Sequence, residues 1–531
     1  MEFDPILVHE WLRRTARRLP TKTAVVCGNQ RWTFGQIDEA SDRLARAWMA
    51  SGMKRHDRVA IFLNNSIEVV ISLYASLKAG GTFAVLDPAI KPPKLRAILE
   101  EMAPFALVSG GTQTEIVREA LGTSFRVALI VWVGGDRREE RSAPETSVTW
   151  EEIAIGEPLE QGQGSAGDFP RCIDVDLACL VYTSGSRGRP KGIMCSHHNV
   201  ISACRSIIQY LGNREEDVVM CVIPLSFDYG LYQVLMSIMY GGTVVLVPGL
   251  VYLYPILGLI GKERVTGFPI VPSILEMLLS LKTLKDFDFS SLRYMTNTGA
   301  ALPERNIRLL RSALPHVAVY SMFGLSECKR VSFLPPSQID RLPGSVGRPM
   351  PNCEVLLLDE SGQEVPPGDI GEMVVRGSNL MQGYWQDAQF TDAVYHTGSY
   401  PEDRRLYSGD LFSSDPEGNL FFRGRRDDMI KCRSERVSPR EIELVIQQME
   451  GIEEVAVKGM PDDFDGQAIV AFVVSAPGSR IEVEAVRAHC ARFLEKARIP
   501  RHIRFLDRLP RTARGKIDRD RLVLGMEGKT Q

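Results

Sequence analysis

The chain has 531 residues, 44% of them hydrophobic and 24% charged. That is enough apolar material for about two to four domains, and it excludes a disordered tail protein, a collagen-like rod and a small disulfide scaffold. With 63 Lys+Arg against 66 Asp+Glu the net charge is -3, so the molecule as a whole is not a general binder of nucleic acid or acidic membranes.

The N-terminal stretch MEFDPILVHEWLRRTARRLP carries early acids and no apolar h-region, so it reads as an amphipathic helix and not as a signal peptide. Next come DRVAIFLNN, SIEVVISLYASLKAGG and TFAVLDP, a strand, a helix and a strand. VTGFPIVP followed by SILEMLLSLKTL repeats the alternation. Such βαβ order predicts a mostly parallel sheet with helices on its faces. Tyr229 to Tyr254 is 26 residues without a charge. The run changes character at Gly241 and Gly242, so it predicts a buried helix and strand; a membrane span needs about 20 apolar residues in one element. A cytoplasmic location is expected.

After about Glu327 the texture shifts to short strands with Gly-rich turns, as in CEVLLLDESGQEVPPGDIGEMVVRG and GNLFFRGR. A small β-barrel or sheet is expected there. From Ser438 the order is helix, strand, strand, helix, an α+β unit. The ten cysteines are scattered without zinc-finger spacing and read as buried thiols. Between Arg487 and Arg521 stand 12 Lys/Arg against 4 Asp/Glu, which would suit a phosphate-bearing ligand, an acidic protein surface or plain solvent.

The most informative stretch is CLVYTSGSRGRPKGIMCSHHN. An apolar run ends at Tyr182, and Thr183, Ser184, Gly185, Ser186, Arg187, Gly188, Arg189, Pro190 and Lys191 follow. Glycines let backbone N–H groups approach phosphate oxygens, hydroxyls donate, and Lys or Arg neutralises charge. A Walker A loop cannot be placed, because Lys191 is followed by Gly192. A rival reading takes Arg187 to Pro190 as an AT-hook lying in a narrow A·T minor groove. It argues against itself by occurring once, after an apolar strand, in a near-neutral chain. His197 follows the loop and reads as packing at that turn.

Here the residues resemble a known family, the adenylate-forming enzymes: acyl-CoA synthetases, amino-acid adenylation domains and luciferases. YTSGSRGRPKG is similar to the family's phosphate loop, and LKAGGTFAVLDP (Leu77 to Pro88) to its upstream signature. FGLSE (Phe323 to Glu327) resembles its Y-G-x-T-E motif. YSGD (Tyr407 to Asp410) and FRGRRDDMIK (Phe422 to Lys431) resemble its ribose and hinge segments, and PRTARGKIDR (Pro510 to Arg519) its closing lysine motif. The resemblance implies an α/β fold. A large N-terminal domain, residues 1–426, would hold layered, mostly parallel sheets plus the small β-barrel. A small mobile α+β domain, residues 427–531, would follow.

It also implies an ATP-dependent activation of a carboxylic acid to an acyl-adenylate, with pyrophosphate released. Transfer to the thiol of coenzyme A or of a carrier-protein phosphopantetheine would follow. Thr183, Ser184, Gly185, Ser186 and Lys191 would hold the β- and γ-phosphates, and Glu327 would bind Mg²⁺. Gly299, Ala300 and Ala301 would line the adenine, beside Met322, Phe323, Gly324 and Ser326. Asp410 would take the ribose hydroxyls with help from Arg425. Asp427 would be the hinge, and Lys516 would bridge the carboxylate and the α-phosphate in the transition state. The implied partners are a small carboxylic acid and coenzyme A or an acyl carrier protein, with no nucleic acid and no membrane span. A homodimer is compatible with this reading.

Four positions depart from the pattern. Arg187 stands where the phosphate loop usually has Thr, Phe323 replaces the motif's Tyr, Ser326 replaces its Thr and keeps the hydroxyl, and Ser434 replaces a Gly near the thiol-transfer step. The acid pocket is expected around Phe227, Asp228, Tyr229, Tyr232, Thr298 and Lys329. Asp228 is the only charge between Val218 and Gly261. In the family's amino-acid adenylation domains an Asp after Phe at this place pairs with the substrate amine; a structural carboxylate is the other reading. Lys329 and Arg330 could meet a second polar group on the acid.

Overall fold

The computed structural model describes residues 4–122, 126–134, 147–155, 169–184, 190–249, 253–281, 283–298, 302, 304–426, 428–432, 435–462, 466–494, 498–512 and 516–523. The chain divides into two compact units. The first is residues 1–343, 348–354 and 375–406, and the second is 344–347, 355–374 and 407–531.

The first unit is built on two sheets. In one, the strands Thr23–Cys27, Thr243–Leu246, Val218–Cys221, Gly267–Ile270, Tyr294–Asn297 and Ala318–Phe323 run parallel, side by side in that order. Antiparallel strands Gln30–Thr33 and Ser332–Leu334 flank them. In the other, Leu177–Ser184, Thr82–Val85, Arg58–Phe62, Ala106–Gly110 and Leu129–Val133 are parallel neighbours. The βα alternation of the sequence therefore does build parallel sheets.

The helix Ile67–Lys78 touches strands of both sheets and is buried at every residue but Glu68. A helix apolar all round is stable only when enclosed. The uncharged stretch resolves the same way, into the helix Asp228–Tyr240 and the strand Thr243–Leu246. Its turn is Gly241, at φ 86°, a conformation that favours glycine. No described helix is long and apolar enough to cross a membrane. His197 is buried and accepts the Val8 amide on Nδ1 at 3.1 Å. Burial pulls its pKa down to about 4, so it is a neutral anchor for the helix Val8–Arg18.

In the second unit, Leu420–Arg425 pairs antiparallel with Arg404–Ser414 over Asp410 to Ser414, and with Ser345 and Gly347 of Ser345–Pro349. A five-stranded sheet follows. Its long antiparallel pair is Ile452–Asp462 with Gly466–Ser475, and His502–Phe505 lies parallel to the latter. Residues alternate across it at the strand period of two. Val455, Val457, Ile469, Ala471 and Val473 meet Ile442, Ile446 and Val486 of the helices Pro439–Gln447 and Val483–Phe493. Ala456, Val470 and Phe472 face Leu509 and Leu522 on the other side. The basic C-terminal run is partly spent inside this unit. Arg498, Arg501, Arg511 and Arg519 pair with Glu441, Asp462, Glu454 and Glu443.

Candidate active site

The glycine-rich segment joins two antiparallel strands, Leu177–Ser184 and Pro190–Ser196, with Thr183 opposite Lys191 and Ser184 opposite Pro190. The two strands are paired neighbours, and the helix His197–Leu211 begins only after the second. Gly185 to Arg189 lie outside the described residues, and so do Gly299, Ala300, Ala301, Asp427 and Ser434. Pro190 heads a paired strand, which is not the context of a disordered basic hook.

Lys191 leaves this strand pair with its Nζ over the Phe390 ring and 5.2 Å from the Tyr384 centroid. Asp387 is 3.9 Å away. Tyr384 also donates its hydroxyl to Glu327 Oε1 at 2.7 Å. Tyr384 is positioned by the short strand Gly383–Tyr384, whose partner is the strand carrying Lys191. The Glu327 carbonyl accepts the Met381 amide at 2.9 Å and the Tyr395 hydroxyl at 3.0 Å. Lys191 and Glu327, far apart in sequence, thus converge on one aromatic ring. Among the described residues no cluster of three metal-ligating side chains exists.

The loop from Phe323 to Val331 closes tightly, with the Val331 amide donating to the Phe323 carbonyl at 3.0 Å. A Cβ on Gly324 would collide with the Lys329 carbonyl. Lys329 itself has φ 68°, a strained conformation costing about 1–2 kcal/mol in an L-residue. The turn drives its side chain into the interior. Lys329 is fully buried, with Nζ 3.1 Å from Asp228 Oδ2 and 3.8 Å from the Tyr232 ring centroid. Burial pulls the ammonium down to about 8; Asp228 opposes this and the neighbouring Arg330 adds to it.

The other pocket candidates gather nearby. Tyr229 is buried, its hydroxyl 2.8 Å from the Thr296 carbonyl and 2.7 Å from Thr296 Oγ1. Thr298 and Met322 are buried, and the Tyr210 hydroxyl lies 3.0 Å from Met322 Sδ. Phe227 is partly buried against the same core and is the N-cap residue of the helix bearing Asp228. Phe323 and Ser326 are partly exposed in the turn. These groups sit at or beyond the C-terminal ends of the parallel strands, where open α/β sheets take their ligands.

In the second unit Asp410 is 4% exposed and opposite Arg425, whose Nε donates to Asp410 Oδ1 at 3.0 Å. The Asp410 amide donates to Ser408 Oγ at 3.1 Å, and that hydroxyl donates to the Met373 carbonyl at 2.6 Å. Lys516 is exposed on a turn closed by the Arg511–Ile517 bridge, and its carbonyl accepts the Thr512 amide at 2.8 Å. Ile517 packs against the core of this unit, which anchors the turn and leaves the lysine outward. Tyr384 is the residue that sequence reasoning missed, and only its place between Gly383 and Trp385, in a run of aromatics, hinted at it.

The family model described as AMP-binding enzyme matches residues 12–385, and that of the AMP-binding enzyme C-terminal domain matches residues 441–516. Similar curated proteins include the indoleacetate–CoA ligase of Aromatoleum aromaticum, 30% identical, with 96% of each chain covered. Another is the long-chain-fatty-acid–CoA ligase of Bacillus subtilis, 29% identical over 96% of this chain and 93% of that one. Among solved structures, ATP-bound MatB from Rhodopseudomonas palustris superposes with a TM-score of 0.84 at 26% identity, covering 96% of this chain and 97% of that one.

Proposed function

The chain belongs to the AMP-binding enzymes, and from that premise we propose that it is an AMP-forming acid–coenzyme A ligase. A substrate carboxylate attacks the α-phosphate of ATP and expels pyrophosphate. The coenzyme A thiol then attacks the acyl carbonyl of the adenylate and AMP leaves. The observation that carries this reading is the convergence of Lys191 and Glu327 on Tyr384, with Lys191 on the strand that follows the glycine-rich segment. A cation and a carboxylate held at one place suit the polyphosphate and its counter-ion. The names of the curated relatives point to coenzyme A as acceptor.

Lys191 binds the β- and γ-phosphates with Thr183, Ser184, Gly185 and Ser186. Asp410, buried and oriented by Arg425, receives the ribose hydroxyls, and residues 299–301 take the adenine. A magnesium ion fits the donor set: one half-buried carboxylate, Glu327, with the remaining positions left to phosphate oxygens and water. Held there by Glu327, such an ion would screen the charge that develops as pyrophosphate departs. Glu327→Gln is expected to lower adenylation at least about 10²-fold and to raise the Mg²⁺ concentration needed for half-maximal rate. An unchanged Mg²⁺ titration removes Glu327 from that role.

Residues 428–531 turn about Asp427 between the two half-reactions. Asp427→Pro fixes φ at about -65°. Adenylation is expected to survive in this variant while thioester formation falls; equal loss in both places the hinge elsewhere. The reading as an amino-acid adenylation enzyme has less support, because the Asp228 carboxylate already meets a buried ammonium. ATP–pyrophosphate exchange across a panel of carboxylic and amino acids, with coenzyme A added afterwards, tests both readings. Exchange with amino acids alone would overturn the ligase proposal.

A further inference from the structure

Three cations are fully buried among the described residues: Lys78, Lys329 and Arg330. Lys78 meets Asp38 and Asp42, and Lys329 meets Asp228. Arg330 has no such partner. It is 3% exposed, and no described carboxylate lies within ion-pair distance of it. Its guanidinium carbon stands 5.2 Å from the Tyr229 ring centroid, and the Tyr210 hydroxyl touches it. Its Nε finds no hydrogen-bond partner among the described residues.

A buried charge without a counter-charge costs several kcal/mol, and removing one member of a pair is worse than having neither. The fold spends backbone strain at Lys329 and still leaves the next residue's guanidinium uncompensated. It does so three residues after Glu327. Tyr229, which the guanidinium faces, is locked to Thr296 at the end of a parallel strand where a ligand belongs.

We propose that Arg330 receives a second carboxylate of the acid substrate, so that the enzyme selects dicarboxylic acids over monoacids. The proposal rests on the ligase reading and adds a substrate class to it. A guanidinium presents a planar fork of donors that matches a carboxylate bidentately. The Tyr210 hydroxyl stands beside the fork as an added polar contact. Lys329 cannot take this role, because Asp228 already holds it. For the same reason Asp228 does not repel the incoming anion: its charge is spent on the ammonium.

A site built to pair a polar group rejects the analogue that lacks it far more strongly than an apolar pocket rejects a wrong methylene. Pyrophosphate release is therefore measured for diacids of increasing chain length, each beside its own monomethyl ester. The best diacid is expected to exceed its ester at least about 10²-fold in kcat/KM. Arg330→Gln should bring the two together, and Arg330→Lys should restore part of the difference. Circular dichroism and thermal melting report whether the variants fold; if they do not, the wild-type comparison decides alone. Esters or simple monoacids used as well as diacids overturn the inference and leave the ligase reading standing. Pyrophosphate from no acid of either series fails the ligase reading itself.

Discussion

Lys516→Ala is expected to lower acyl-adenylate formation about 10²–10³-fold, the loss typical of removing one donor aimed at developing charge. Lys516 projects from a turn whose base is pinned by the Arg511–Ile517 bridge and by Ile517 in the core. Truncating an exposed side chain on an anchored turn should not unfold the unit. If the lysine contacts the α-phosphate and carboxylate only as charge builds up, it stabilises the transition state more than the ground state. ATP binding should then survive. Thioester formation from supplied acyl-adenylate should also survive, provided that the rotation proposed about Asp427 has by then carried Lys516 away from the phosphate. Both half-reactions are measured in the one variant. Adenylation within a few-fold of wild type, or a fault confined to the thioester step, removes Lys516 from this role.

Local patterns carried most of the fold into view. The helix Ile67–Lys78 and the strand Thr82–Val85 follow from an apolar run, a glycine pair and β-branched residues. The helix and strand of the uncharged stretch follow from Gly241 and Gly242. The strand Pro190–Ser196 was hidden, because its run is short and passes without a break into the helical pattern beginning at His197. The site was legible as single residues and not as pairs. Glu327 and Lys191 stand out by their motifs, but Tyr384, 57 residues from Glu327, joins them only through tertiary structure. The positive stretch at the C-terminus looked unspent because its acids, Glu441, Glu443, Glu454 and Asp462, come earlier in the chain. Two adjacent cations, Lys329 and Arg330, looked equivalent in sequence. Among the described residues one meets a carboxylate and the other does not, and only the position of Asp228 separates them.

Asp228→Ala is expected to cost about 3 kcal/mol of folding stability, because it strands the Lys329 ammonium in the interior. The result bears on function as well as on stability: a loss of activity in this variant would not by itself identify a substrate amine. Two companion variants separate the causes. Lys329→Met should cost less, since the Asp228 side chain is 22% exposed and can be hydrated. The pair Asp228→Ala with Lys329→Met should lie close to wild type, well short of the sum of the single losses. The pH dependence gives an independent sign. Burial holds Lys329 down to about 8 from an ordinary 10.5. Between those values the unfolded chain binds the proton more readily, so the lysine's contribution to stability rises with pH. Its penalty is fully present below about 8 and has gone above 10.5. Without Asp228 the folded pKa falls further, and Asp228→Ala should recover more stability than wild type between pH ~7 and ~9. Urea unfolding of the four proteins at both pH values measures this. Additive losses, or an Asp228→Ala variant with the same pH profile as wild type, would show that the ion pair contributes nothing and would return Asp228 to the list of groups open to a substrate amine.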